Sequence, residues 1–195
     1  MYDLIGDIHG HATELKALLT KMDYREIDGV WLHPERKVIF LGDFVDRGPE
    51  QVETVTIARN MVENDQALAV MGNHEFNAVA WATEDPQNPG EHLRPHIDKN
   101  LKQHRAFLEQ VGEGSELHHS MIEWFKTLPV YLDLPEFRVV HACWHPEHLA
   151  AIAKYTDKEN RLLPGTWEAA SRKGSEAYEA VETLLKGLEI PLPGD

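Results

Sequence analysis

The chain has 195 residues, which is enough for one domain with a well-formed hydrophobic core or for most of a larger one. Its content of 42% hydrophobic and 27% charged residues is typical of a globular protein, and its formal net charge of −14 argues against non-specific binding to nucleic acid or to an anionic membrane. Cys143 is the only cysteine and the N-terminal sequence has neither a basic region nor a long apolar run, so we expect a soluble cytoplasmic protein without disulfides.

The first 82 residues alternate between short strand-like runs and helix-like segments, the pattern of parallel strands joined by helices. Strands are predicted at residues 2–5, 38–41 and 68–71, and the sequence DGVWLH at 28–33 predicts an additional edge strand or hairpin. Apolar residues recur at helical spacing after each of the three strands. They are Ala12, Leu15, Leu18, Leu19 and Met22, then Val52, Val55, Ala58, Met61 and Val62, and finally Phe76, Val79 and Ala80.

The second half is predicted to be mostly helical, within a single domain that covers residues 1–195. Residues 84–120 are interpreted as a helical insertion whose histidines, including His104 and His118, face solvent. A strong amphipathic helix then ends at Pro129, and residues 130–134 and 137–141 form a predicted hairpin. The remaining apolar positions at helical spacing are Leu101, Leu108 and Val111, then Leu117, Met121, Trp124, Phe125 and Leu128, and in the tail Ala177, Val181, Leu184, Leu185 and Leu188.

Polar side chains follow four of the predicted strands at the point where each strand ends. Because ligand sites of open α/β sheets lie at the carboxyl ends of the strands, we expect these side chains to converge. A glycine precedes three of them, where the backbone is expected to approach its neighbours closely. The candidate ligands are Asp7, His9, Asp43, Asn73 and His141.

This set of carboxylate, imidazole and amide donors indicates a pair of divalent metal ions, with manganese ahead of iron or zinc. Asp7 and His9 are two residues apart, so continued strand geometry would place them on one side. Asp43 is the candidate bridging ligand, since one carboxylate has two oxygens. Two ions against the carboxylates of Asp7 and Asp43 would leave a local positive charge that suits displacement at phosphorus.

Three further roles complete a phosphoryl-transfer site. His74 follows Asn73 and can protonate a leaving oxygen, while Asp46 can orient the imidazole and raise its basicity. Arg47 offers a planar fork of donors that matches phosphate. The predicted catalytic residues are therefore His74, Asp46 and Arg47, and the predicted substrate-binding residues are Arg47, Asn73 and His74.

The segments GDIHG, GDFVDRG and GNHE, in this order, resemble the three signature blocks of the calcineurin-like metallophosphoesterases, specifically the bacterial type of the serine/threonine phosphoprotein phosphatase branch. WFKTLPVYLDLPEFRVVHA is similar to the helix and hairpin that lead to the next metal histidine in that branch. The resemblance spans roughly residues 1–146 and implies an α/β (α+β) fold, a β-sandwich flanked by helices. It implies Asp7, His9 and Asp43 on one ion, and Asp43, Asn73 and His141 on the other.

The resemblance also implies a function. We expect a dinuclear phosphatase that hydrolyses phosphomonoesters by direct attack of metal-bound hydroxide, with a serine/threonine phosphoprotein or a smaller phosphoester as its substrate. The alternatives are a dinucleoside polyphosphate hydrolase, acting for example on diadenosine tetraphosphate, and a catalytically impaired metal-binding fragment. The oligomeric state is left open.

The chain departs from the family pattern near its end. Family members carry another metal histidine well downstream, whereas this chain has no histidine after His148. We therefore expect residues 155–195 to be part of the C-terminal region of a longer protein, so that the fold is incomplete at the C-terminus. The alternative is a replacement ligand from His145 or His148, although surface positions are the favoured interpretation for both. The sequence HACWHP also differs from the glycines that often follow the metal histidine, which leaves the shape of the substrate pocket open.

Overall fold

The computed structural model describes residues 1–188, so the predictions for residues 189–195 lie outside the described part. Its strands are β1 (Tyr2–Ile5), β2 (Arg25–Ile27), β3 (Val30–Leu32), β4 (Lys37–Phe40), β5 (Ala67–Ala69), β6 (Tyr131–Asp133) and β7 (Arg138–Val140). Its helices are α1 (Ala12–Lys21), α2 (Gln51–Glu63), α3 (Asn73–Ala82), α4 (Asp98–Val111), α5 (Glu116–Phe125), α6 (Pro146–Ile152), α7 (Trp167–Ser171) and α8 (Glu176–Lys186). Two single 3-10 turns cover Ala153–Tyr155 and Pro164–Thr166.

A three-stranded parallel sheet in the order β1-β4-β5 forms the centre of the fold, which confirms the predicted parallel strands. The central strand β4 is fully buried at Val38, Ile39 and Phe40, because a parallel strand between two neighbours is covered on both faces. Side chains alternate along it: Val38 and Phe40 belong to the main core, whereas Ile39 faces a second, smaller cluster.

The second face of the sheet is covered by the antiparallel hairpin of β6 and β7. Val139 of this hairpin packs with Ile39 and Val70 of the sheet, so two β layers lie face to face as the predicted sandwich requires. The hairpin does not cover the whole face, since Leu4 on β1 keeps 55% of its surface exposed. The predicted hairpin near residues 28–33 is also present, as β2 and β3 joined by Asp28 and Gly29.

Helix α4 belongs to the main core, which corrects one expectation about residues 84–120. His104, Phe107, Leu108 and Val111 are all buried and recur at helical spacing on one face. The prediction that His104 and His118 face solvent is therefore wrong, because they are only 2% and 4% exposed. None of the helices in the described part of the chain is long and apolar enough to cross a bilayer.

Candidate metal centre and active site

The five predicted ligands converge at the carboxyl ends of the strands. Asp7 and His9 lie in the loop between β1 and α1, and Asp43 follows β4. Asn73 is the first residue of α3, just beyond β5, and His141 directly follows β7. The topology thus brings together donors that are up to 134 positions apart in sequence, with Asp43 at the centre.

The Asp43 carboxylate lies close to three imidazoles. Its Oδ2 is 3.5 Å from His141 Nε2, 3.6 Å from His9 Nε2 and 3.9 Å from His74 Nε2. Two donor atoms bound to one ion at about 2.1 Å are roughly 3 to 3.5 Å apart, so the distances from Asp43 to His141 and to His9 are close to those of ligands that share an ion, and the distance to His74 is longer.

The two remaining predicted ligands complete the donor set. Asp7 Oδ2 is 3.8 Å from His9 Nε2, and its side chain is 56% exposed. Asn73 Oδ1 is 3.2 Å from His141 Nε2. Each of these oxygens therefore lies beside an imidazole that also approaches Asp43.

The tautomer of His9 shows that this residue suits a metal. Its Nδ1 lies 2.8 Å from the carbonyl oxygen of Val45, and a carbonyl only accepts, so Nδ1 must carry the proton. The neutral ring then has a lone pair on Nε2, which is buried and has no hydrogen-bond partner within residues 1–188. A buried nitrogen lone pair without a donor is costly unless a cation occupies the space in front of it.

His141 is oriented in the same way. Its Nδ1 donates to the carbonyl oxygen of Leu41 at 2.6 Å, which leaves Nε2 directed at Asp43 and Asn73. Burial lowers the pKa of His141, but the hydrogen bond and negative charge of Asp43 outweigh burial and raise this pKa to about 9. A bound cation would balance the negative charge of Asp43 as the proton on His141 does. The residues present therefore fit a metal site.

Donor atoms in the described residues fall into two clusters that share Asp43. One contains Asp7, Asp43 and His141, and the other contains His9, Asp43 and His74, each with donors within 4.8 Å of one another. Asp43 belongs to both, as a bridging ligand must. The assignment of the other ligands to one ion or the other stays a prediction. The resemblance implies Asp7 and His9 on the same ion, whereas the clusters group Asp7 with His141 and His9 with His74.

Tight backbone packing holds the ends of β4 and β5 together. A Cβ at Gly42 would lie 2.4 Å from Gly72 N, and a Cβ at Gly72 would lie 2.2 Å from Asp43 Oδ1. The expected close approach is confirmed at these two glycines and wrong at Gly6, where a Cβ would meet nothing within 4 Å. His9 has a φ of 48°, so it comes near Asp7 through a turn and not through continued strand geometry.

Glu75 is a site residue whose role the sequence did not reveal. Its fully buried carboxylate accepts hydrogen bonds from the backbone N–H groups of Asp43 (2.8 Å), Phe44 (2.8 Å) and Gly72 (3.0 Å). Burial, reinforced by the charge of Asp43, raises the pKa of Glu75 to about 7 against the effect of these donors. Glu75 thus fixes the loop after β4 against the start of α3 and positions Asp43.

The predicted pair of Asp46 and His74 is present. His74 Nδ1 lies 2.5 Å from Asp46 Oδ2, and Asp46 is only 2% exposed. Burial lowers the pKa of His74, but the hydrogen bond to Asp46 and the nearby carboxylates, with Asp43 first, give a net increase. The contact orients the imidazole so that Nε2 points toward Asp43.

His104 is a third member of this network. Its Nδ1 lies 2.8 Å from Asp46 Oδ1, so Asp46 is held between two imidazoles. The signal that could have identified His104 is its position three, four and seven residues before the buried Phe107, Leu108 and Val111.

Arg47 lies at the edge of the site. Arg47 is exposed and borders a cleft of about 420 Å³ together with His74, Lys102 and Arg105. Its backbone φ of 69° is in the left-handed region, which is unusual for a side chain of this size. This conformation is consistent with an arginine that is held at the mouth of the site and is available to an anion.

The alternative ligands His145 and His148 are in neither donor cluster of the described residues. Their rings pack against each other with centroids 4.6 Å apart, and His145 immediately precedes α6. Trp144 packs edge-on against Tyr131 and lies under the guanidinium of Arg138. A replacement ligand therefore has no support among the described residues. The favoured surface positions are not exposed ones, because both histidines are partly buried and Nδ1 of His145 is buried without a partner among those residues.

Solved structures share the fold. A cold-active protein-tyrosine phosphatase of a psychrophilic Shewanella species superposes with a TM-score of 0.57 at 18% identity, covering 95% of this chain and 54% of the other. A protein serine/threonine phosphatase from Saccharomyces cerevisiae has a TM-score of 0.50 at 17% identity, covering 92% and 47%. At these identities the likeness concerns the fold alone.

Curated relatives are more similar in sequence. An asymmetrical bis(5'-nucleosyl)-tetraphosphatase of a Geobacillus species is 45% identical over 72% of this chain and 55% of its own length. A protein of the same name from Anoxybacillus flavithermus is 40% identical over 84% of this chain and 62% of its own length. The chain thus spans somewhat more than half the length of these relatives.

The family model described as calcineurin-like phosphoesterase matches residues 2–186, almost the whole described chain. The match includes every predicted ligand, together with Asp46, Arg47 and His74. Together with the parallel sheet, the hairpin on its second face and the donor set around Asp43, this match establishes the family of the chain. The chain belongs to the calcineurin-like phosphoesterase family.

Proposed function

We propose that this chain is the catalytic part of a dinuclear phosphohydrolase that cleaves dinucleoside tetraphosphates. The observation that carries the hydrolytic function is the position of Asp43 Oδ2, which lies 3.5 to 3.9 Å from the Nε2 atoms of His9, His74 and His141. A buried carboxylate surrounded by imidazoles, with Asp7 and Asn73 beside them, suits two divalent ions that share one ligand.

Manganese, iron and zinc all suit this oxygen and nitrogen donor set, and we propose manganese as the first to test. When bound, the ions would supply positive charge opposite the phosphoryl oxygens and would make water more acidic. Asp7 and His9 would hold one ion, Asn73 and His141 the other, and Asp43 both.

The chain's own residues donate a proton and bind the phosphoryl group. Water forms a bond to phosphorus as the bond from phosphorus to the leaving oxygen breaks. His74 gives its Nε2 proton to that oxygen while its Nδ1–H stays bonded to Asp46. Arg47 binds the phosphoryl oxygens at the mouth of the site, and water loses its proton to solvent.

The names of the curated relatives support a dinucleoside tetraphosphate as the substrate, which was the alternative to a phosphoprotein. The phosphoprotein interpretation rests on the motif resemblance, since the superposed protein phosphatases support the fold alone. Two clefts that reach His74 also leave room for groups on more than one side of the reacting phosphate.

A comparison of substrates tests this proposal. With manganese present, we expect kcat/KM for diadenosine tetraphosphate to exceed that for a phosphoserine peptide by about 100-fold, the ratio that differential contacts outside the reacting group can supply. An Asp43→Asn preparation, purified in parallel, measures contaminating phosphatase activity. Faster turnover of the phosphopeptide would favour the phosphoprotein interpretation, and metal binding without turnover of either substrate would favour an impaired metal-binding fragment.

A further inference from the structure

A second cleft, distinct from the one at Arg47, opens beside the candidate active site. It has a volume of about 520 Å³ and lies between α3, the segment before α4, α4 itself and α8. Its lining includes Asn73 and His74 from the candidate site and the basic side chains of Arg94, Lys99 and Lys186. Against these, Glu182 is the one carboxylate in the lining, so the cleft is locally positive in a chain whose net charge is −14.

Arg94 is fixed in this cleft from two sides. Its backbone N–H donates to the carbonyl oxygen of Ala80, near the end of α3, at 3.0 Å. Its Nη2 donates to the side-chain oxygen of Gln103 on α4 at 2.7 Å. Because both anchors belong to helices packed in the core, the guanidinium is pre-organised and would lose little conformational entropy on binding a ligand.

The guanidinium of Arg94 has no carboxylate partner among residues 1–188. Two other basic residues at this side of the molecule are paired: Lys186 contacts Glu182, and Arg172 contacts Asp85 and Glu168. The Nε and Nη1 donors of Arg94 likewise find no protein acceptor in the described part of the chain.

Arg94 is only partly exposed in this cleft. Burial lowers the pKa of Arg94, and the charges of Asp46 and Glu182 oppose that effect. The guanidinium of an arginine stays protonated in either case. The Nε and Nη1 donors are not among the buried unpaired atoms of the described residues, so they are open to a ligand in the cleft, and a planar guanidinium matches phosphate oxygens bidentately.

We propose that this cleft binds the phosphate chain of the substrate beyond the phosphate that is attacked, with Arg94 as its main contact. The inference rests on the proposed function, since only a polyphosphate substrate has such a chain. Arg47 and Arg94 line different clefts, and His74 and Gln103 border both of them. Arg47 would therefore contact the reacting phosphate, and Arg94 the phosphates that follow it toward one nucleoside.

The test compares Arg94→Met with Arg25→Met. Arg25 is exposed on β2 outside both clefts, so its substitution makes the same change in net charge without touching the site. For Arg94→Met we expect KM for diadenosine tetraphosphate to rise about 10- to 100-fold, the value of a charge-assisted contact, and KM for 4-nitrophenyl phosphate to rise much less. Arg25→Met should change neither KM.

Competitive inhibition of 4-nitrophenyl phosphate hydrolysis adds a readout that does not need turnover of the polyphosphate. With divalent ion in excess, ATP should inhibit Arg94→Met about 10- to 100-fold more weakly than the unaltered chain, whereas inhibition by orthophosphate should change little. Lys99→Met, at an exposed position of the same cleft, should shift ATP inhibition in the same direction by a smaller factor.

The outcomes separate this inference from the proposed function. If the chain hydrolyses diadenosine tetraphosphate and Arg94→Met raises both KM values equally, or neither, the inference is wrong and the proposed function stands. If the unaltered chain hydrolyses 4-nitrophenyl phosphate but not diadenosine tetraphosphate, the proposed substrate is wrong, and this inference fails with it.

Discussion

Replacement of Asp43 by asparagine is expected to lower kcat/KM for 4-nitrophenyl phosphate by about 10³-fold or more and to reduce the bound metal. An amide has the shape of the carboxylate but no charge, so it cannot bridge two cations. The fold should persist, because Oδ1 can still accept the His74 backbone N–H at 3.1 Å and asparagine tolerates the φ of 56°. Plasma mass spectrometry of the purified protein, paired with turnover, measures both effects.

Asp65→Asn is a matched control for this substitution. Asp65 also has a positive φ, 57°, but its side chain is 84% exposed, belongs to neither donor cluster and forms an ion pair with Lys37. Its replacement should leave metal content and turnover unchanged, since exposed ion pairs contribute little. Full metal content and normal turnover in Asp43→Asn would show that Asp43 does not bridge the ions.

Replacement of His74 by asparagine is expected to slow hydrolysis of phenyl phosphate by about 10²- to 10⁴-fold, the range for loss of a general acid. Phenoxide is a more basic leaving group than 4-nitrophenoxide, so its departure depends more on a proton from Nε2. The loss should therefore be larger for phenyl phosphate than for 4-nitrophenyl phosphate. Metal content should stay the same, because Asp46 and not an ion accounts for the orientation of His74.

This comparison distinguishes two roles for His74, which the structure also places in a donor cluster with His9 and Asp43. If His74 is a metal ligand, His74→Asn should lose metal and slow both substrates by the same factor. His11→Asn is the control, since His11 lies nearby in the loop before α1 with a side chain 47% exposed and belongs to neither cluster. It should behave like the unaltered chain.

Much of the fold could be predicted from hydrophobic patterns. β1 was predicted with its exact bounds, and β4 and β5 were located within about two residues. The central strand β4 is the clearest case, since a buried parallel strand has a continuous apolar run. The position of α4 in the core was not predicted. Its buried face includes His104, a polar residue whose burial depends on the distant Asp46.

Some residues of the candidate site could likewise be predicted from the sequence, and others could not. The convergence of Asp7, Asp43 and His141 follows from where the strands end, a property that the sequence contains. The contact of Glu75 with the loop after β4 joins residues 31 and 32 positions apart, and no local pattern indicates it. The sequence thus indicated the side chains that converge beside Asp43, but it did not indicate Glu75, which holds the loop after β4 in place.

A crystal structure of the chain loaded with manganese tests the central claim most directly, since anomalous scattering locates each ion. We predict two ions about 3.5 to 4 Å apart, both in contact with the Asp43 carboxylate, with His9 on one ion and His141 on the other. His74 should remain bonded to Asp46 and outside coordination distance. A single ion, or a pair of ions that Asp43 does not bridge, would contradict the account.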